Sequence, residues 1–240
     1  LMMTGWQSTA LDAYDQRYYR RWMHELPAMQ HIFRGTALDV HHTILPPTAR
    51  LKPDPRLLVE ASVEIPGLPG VRTLALPDLI LHSASHLFHE GEPDNLLRDL
   101  TDLDLLLRHL ARDPAVWDVL VHRAEQLQLA GPLRLALRYT CRVLGTPVPA
   151  ALDCLGAGGP GQRLLDAIYS RVLRPQHPST ADALSPLARK SLYIRAHWLR
   201  MPPHLLAYHL AHKALFPPET LTKPLSDDKS HEKPDAKKAA

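Results

Sequence analysis

The sequence predicts an α+β chain: a small mixed sheet toward the N-terminus, followed by a mostly α-helical domain. Three observations carry this expectation. Residues Thr36 to Leu45 alternate, with Leu38, Val40 and Ile44 on one face and Asp39, His41 and Thr43 on the other, the period of a half-buried strand. From Pro77 onward the apolar residues switch to helical spacing, and Leu96, Leu97, Leu100, Leu103, Leu107 and Leu110 make one stripe. Finally, 23 prolines punctuate the 240 residues and mark where elements begin and stop.

Taken in order, Leu11, Tyr14, Tyr18, Tyr19 and Trp22 recur at roughly helical spacing and predict a short helix from about Asp12 to Arg21. A second short piece, Gln30 to Phe33, leads through a turn at Arg34-Gly35 into the alternating strand, which Pro46-Pro47 stops. Residues 46 to 76 are a mixed connector: a short helix over Pro55 to Val63, a turn at Gly67 to Gly70, an extended piece over Val71 to Leu76. Pro77 suits a first helical turn, and Gly91 suits the end of that helix. Further helices are expected over Pro93 to Arg112, Asp113 to Ala130, Gly131 to Gly145, Gly161 to Leu173, Pro186 to Arg200 and Pro203 to Phe216. Asp113-Pro114 supplies a capping carboxylate followed by proline at the first helical position. The expected organisation is a small α/β unit over residues 1–76, a helical domain over 77–216 and a disordered polar tail over 217–240.

Composition excludes several classes. An apolar fraction of 45% with 22% charged residues is ordinary for a globular chain. No apolar run approaches the roughly 18 residues of a membrane span. Two cysteines, Cys141 and Cys154, build neither a disulfide framework nor a zinc cage. A reducing, cytoplasmic setting is expected. The net charge of +3 and the pI near 8.9 do not by themselves argue for nucleic acid.

The 15 histidines are the unusual feature, because imidazole is both a proton carrier and a metal ligand. Asp39 and His41 share a strand face and offer a metal or a polar substrate two ligands; a solvated strand face has the same pattern. His82, His86 and His89 fall on one helix face at i, i+4 and i+7, the spacing of a two-histidine metal face and equally of a packing face. The residue after His82 is Ser83, not the glutamate of a metalloprotease helix, and no histidine is followed by aspartate, as one class of metal phosphohydrolases requires. Asp102-Leu103-Asp104 reads as a metal-binding pair only in text: on a helix its carboxylates lie roughly 200° apart. Asp99 and Asp102, with Arg98, are better placed to complete a site with the His82/His86 face, or to form an exposed ion-pair lattice. Arg189, Lys190, Arg195, Arg200, His204, His209, His212 and Lys213 make a basic C-terminal surface with no nucleic-acid motif. The glycine run at 156–161 lacks the Lys-Ser/Thr of a phosphate loop.

Several of these pieces occur in a telling order: Gly5-Trp6, His24-Glu25-Leu26-Pro27, Leu38-Asp39-Val40-His41-His42 with Pro46-Pro47, Leu81 to Phe88, Leu97-Arg98-Asp99-Leu100, and His197 to Pro202. Together, over roughly residues 5 to 215, they resemble a bacterial nucleotidyltransferase family of the polymerase-β-type superfamily. The resemblance implies a small sheet remnant of a nucleotidyltransferase core, Mg²⁺, an NTP and an acceptor that the sequence does not specify. It implies Asp39 as the third catalytic and metal-binding carboxylate, with His41, His82, His86 and Arg98 lining the nucleotide or acceptor cleft. The family's Gly-Ser turn and strand Asp-x-Asp would precede Gly5-Trp6, and nothing here matches them. The expectation is therefore a fragment, inactive alone, of a complete enzyme. Two rival readings remain at this point: a non-catalytic nucleotide- or partner-binding protein with a degenerate core, and a metal-dependent helical hydrolase using His82, His86 and Asp99.

Overall fold

A computed structural model describes residues 2–9, 13–89, 93–152 and 158–215. The expected 217–240 tail, the Gly91 helix end and Cys154 lie outside these residues. The architecture is α+β, as the sequence predicts.

Strand β1 (Trp6–Ser8), β2 (Met29–His31) and β3 (Ala37–Leu38) form an antiparallel sheet in the order β1-β2-β3, with Trp6 opposite His31 and Met29 opposite Leu38. Gly5, at φ 87°, accepts the Ile32 N–H, and a Cβ there would meet the His31 ring at 3.2 Å, so only glycine fits the approach to β1. The turn joining β2 to β3 contains the expected Arg34-Gly35, with Gly35 left-handed.

The expected strand over Thr36 to Leu45 is corrected: its regular part ends at Leu38. Beyond it the chain still runs beside its partner. The Leu26 N–H donates to Val40 O at 2.8 Å, the His42 N–H to His24 O at 3.0 Å, and Glu25 bridges His41. Between Met29–Leu38 and Glu25–His41 one side advances four residues and the other three. The extra residue lies on the side carrying Pro27, which has no N–H for a ladder bond, so a bulge-like step interrupts the ribbon there.

Helix α1 (Ala13–Trp22) buries no residue fully. It meets the last helix through aromatic rings: Tyr14 stacks on His212 at 3.5 Å and Trp22 meets Tyr208 edge-on at 5.9 Å. Helix α2 (Pro55–Glu60) is shorter than expected and opens on Asp54, whose carboxylate accepts the Arg56 N–H. A hairpin of β4 (Val63–Glu64) and β5 (Arg72–Thr73) follows.

Helix α3 (Leu76–His89) is the centre of the molecule, packed against α4 (Leu96–Leu110), α5 (Val116–Gln126), α6 (Ala130–Leu144) and α8 (Ser185–Arg200). Ile80, Leu81, Ala84, Leu87 and Phe88 are buried from α3, and the stripe Leu96, Leu100, Leu103, Leu107 and Leu110 meets them from α4. Helix α5 ends earlier than expected because Gln128 turns left-handed at φ 60°. Gly145, at φ 64°, ends α6 as a left-handed cap.

Within the helical body, paired carboxylates tie the helices together. Asp78 holds Arg123 at 2.7 Å, and Arg123 reaches Leu57 O, tying α3 to α5 and α2. Asp166, on α7 (Pro160–Val172), receives Arg138, Arg142, Tyr139 and Gln162, tying α6 to α7. These contacts hold its carboxyl well below the usual range, the Arg138 hydrogen bond contributing most.

One junction positions the site. The last carbonyls of α8 have no partner within their own helix. Thr48 Oγ1 donates to Arg200 O at 2.8 Å, the Arg50 N–H to Leu199 O at 3.1 Å, and the Arg50 guanidinium lies over Trp198 at 4.3 Å. The loop after Pro46-Pro47 thus caps α8, while Leu45, Ala49 and Leu58 enter the helical core. Beyond α8, α9 (Pro203–Leu215) runs back toward α1.

Candidate functional site

Three segments meet beside this junction. The turn after α1 brings His24 and Glu25, the end of the β2–β3 ribbon brings His41 and His42, and α3 brings His82 and His86. Backbone pairing sets Glu25 directly opposite His41, and their side chains approach to 3.3 Å between His41 Nε2 and Glu25 Oε2. The His24 and His41 rings lie 5.0 Å apart, and the His82 and His86 rings 6.2 Å apart.

Their electrostatics show the same gathering. Burial pushes the His24 pKa down to about 4, reinforced by His41, His86, Arg200 and His42 nearby. Burial also lowers His82, helped by His86 and then His41. Both rings are therefore neutral near pH 7, which leaves each with one nitrogen donor and one nitrogen acceptor. Arg200, held at the capped end of α8, is a cation close enough to act on His24.

Asp39 sits exposed just past β3, on the same ribbon end as His41. Its charge reaches Tyr19, whose phenol is raised first by burial, then by Glu25, Asp15 and Asp39. No hydrogen bond or ion pair engages Asp39 among the described residues. On the other side of the α3 histidines, His82, Ser83 and His86 line a depression with Asp99 and Asp102 of α4. Arg98 forks onto Asp99, with its Nη2 2.8 Å from Oδ1, which brings its guanidinium to the edge of that depression. Asp104 points the opposite way. It is buried, accepts the Thr146 hydroxyl at 2.6 Å and pairs with Arg108 at 2.9 Å, so Asp102 and Asp104 are no metal pair.

Thus His41, His82 and His86 come together, Asp39 stands at the ribbon end, and Arg98 lies at the α4 rim. Sequence reasoning did not assign roles to His24, Glu25 or Arg200. The dipeptide His24-Glu25 is visible in the sequence, but its convergence with His41 depends on a strand pairing with an irregular register. Among the described residues, His24, Glu25 and His41 are the only group of three His, Cys, Asp or Glu whose ligand atoms all lie within 4.8 Å of one another. The depression between α3 and α4 does not bring its histidines and carboxylates that close.

A family model described as an uncharacterised nucleotidyltransferase matches residues 1–145. No curated protein and no solved structure matches the chain. The matched segment includes the ribbon with Asp39 and His41 and the α3–α4 pair with His82, His86 and Arg98; Arg200 lies outside it.

Proposed function

The chain belongs to this uncharacterised nucleotidyltransferase family, and from that premise we propose that the complete protein transfers a nucleotidyl group from an NTP, with Mg²⁺, to an acceptor. The observation that carries the reading is the family match over both the ribbon and the α3–α4 pair, whose histidines meet in the fold. In this proposal His41, His82 and His86 shape the nucleotide or acceptor cleft. Their imidazole nitrogens offer hydrogen bonds, and burial keeps the His82 ring neutral. Arg98 and Arg200 supply positive charge for phosphate oxygens.

Asp39 is proposed as the carboxylate that helps hold metal or takes the proton of the acceptor hydroxyl. Its exposure and lack of a partner leave it available for either task. By itself it does not make a two-metal centre, which needs several oxygen ligands beyond the substrate phosphates. Among the described residues, no second carboxylate shares a ligand group with it. The Gly-Ser turn and strand Asp-x-Asp of the superfamily do not occur in these 240 residues. We therefore expect this chain alone not to turn over.

The test is transfer of label from α-³²P-NTP in an extract of acceptors, using the complete protein. Asp39→Ala and Asp39→Asn should each lower kcat by about 10² or more, as removal of a group acting in the transition state does. Unchanged transfer in both variants, or transfer by the 240-residue chain with Asp39 replaced, refutes the assignment.

A further inference from the structure

We propose that His24, Glu25 and His41 form a site for a transition-metal ion of the zinc class, separate from the Mg²⁺ expected for nucleotidyl transfer and independent of that reading. The first support is convergence: one ligand atom from each residue lies within 4.8 Å of the other two. The second is an orphaned atom. His24 is 9% exposed, and its Nδ1 is buried with no hydrogen-bond partner. A buried polar nitrogen left unpaired is a cost that a bound ion, directly or through the ring's orientation, can relieve.

The backbone prepares the arrangement before any ion arrives. Glu25 and His41 are fixed opposite each other by the bridge, and His24 O is held by the His42 N–H at 3.0 Å. Ligands mounted on paired strands lose little freedom on binding. The donor set decides the ion: two imidazoles and one carboxylate suit zinc and its first-row neighbours, whereas Mg²⁺ takes oxygen ligands. Three protein ligands leave a fourth position. The His41 side chain is 43% exposed and that of Glu25 24%, so the site opens to solvent on that side. The class of ligand that would fill it is water or an oxygen of a bound anion.

The experiment uses the full 240-residue chain, stripped with a chelator and titrated with Zn²⁺ against a chromophoric competitor, followed by Co²⁺ substitution. One equivalent should bind, and Co²⁺ should give the intense visible bands of a four-coordinate site. His41→Ala and Glu25→Gln, both partly exposed, should each weaken Zn²⁺ binding at least tenfold while leaving the far-UV spectrum and metal-free melting unchanged. His82→Ala should leave binding intact. Sub-stoichiometric binding, binding indifferent to His41→Ala and Glu25→Gln, or binding lost instead in His82→Ala overturns the assignment.

Discussion

The helical body and the N-terminal ribbon are built on different principles. In α3, α4 and α6, leucines, Phe88 and Tyr139 interlock around a fully buried centre, and the Asp78–Arg123 ion pair at its side is shielded. In the ribbon, strands are two or three residues long, α1 buries nothing fully, and Met29, Leu45 and Ala49 are its few buried apolar side chains. The ribbon is held by its seam to the end of α8 and by aromatic edges against α9. Yet Asp39, His41 and the His24–Glu25 pair all belong to it. Chemistry here sits on the weakly buried part and is oriented by the strongly buried part, an economical division because functional groups need solvent and substrate while a core needs neither.

The sharpest way to break the comparison is to damage the body. Phe88, fully buried against Tyr139 and Tyr169, should cost about 4 kcal/mol as Phe88→Ala, with the whole protein unfolding at lower urea. Asp78→Ala leaves Arg123 without its carboxylate at a nearly closed site and should cost about 3 kcal/mol in the same measurement. If either variant loosens only the ribbon, the division is wrong.

Acid should act on the body next. Burial, with Arg195 nearby, pushes the His89 pKa from 6.5 down to about 4. The unfolded chain then takes up the proton first. The stability tied to neutral His89 is therefore complete above pH 6.5 and is lost as pH falls toward 4, by up to about 3 kcal/mol. His89→Leu should lessen the fall of the urea midpoint across that window, leaving the part that the buried His24 and His82 contribute. Asp166 titrates lower. With its carboxyl held below the ordinary 3.8, its contribution is present above that pH and declines only beneath it. A midpoint that is flat from pH 6.5 to 4 in the unmodified protein rules out the His89 account.

The smallest effect should fall on the seam. Thr48→Ala removes the hydroxyl that donates to Arg200 O and should cost about 1 kcal/mol. Its signature is local: amide exchange should quicken at Leu26 and His42 while the α3 and α4 amides keep their protection. Uniform acceleration would show that ribbon and body unfold as one unit.

Much of this was legible in advance. The leucine stripe of α4, the helix starts at prolines and the opposed directions of Asp102 and Asp104 follow from helical period alone. The ribbon was less legible. Alternation over Thr36 to Leu45 signalled extended chain, but the step in register near Pro27 depends on the opposite strand. For the same reason the sequence marks His41 as a candidate site residue but gives Glu25 no role: His41 stands out on its own strand, whereas Glu25 gains its place only from its partner across the ladder.

By itself the sequence determined the local periods, the stops at proline and glycine, and the order of pieces that marks the family, because each is written in residues near one another. Long-range packing decided that the Pro46-Pro47 loop caps α8, that Arg200 comes close to His24, and that His24, Glu25 and His41 converge with the α3 histidines. Those outcomes come from unpaired helix carbonyls finding donors far away in the chain and from strand pairing with an irregular register. Both are fixed by long-range packing, on which local spacing is silent.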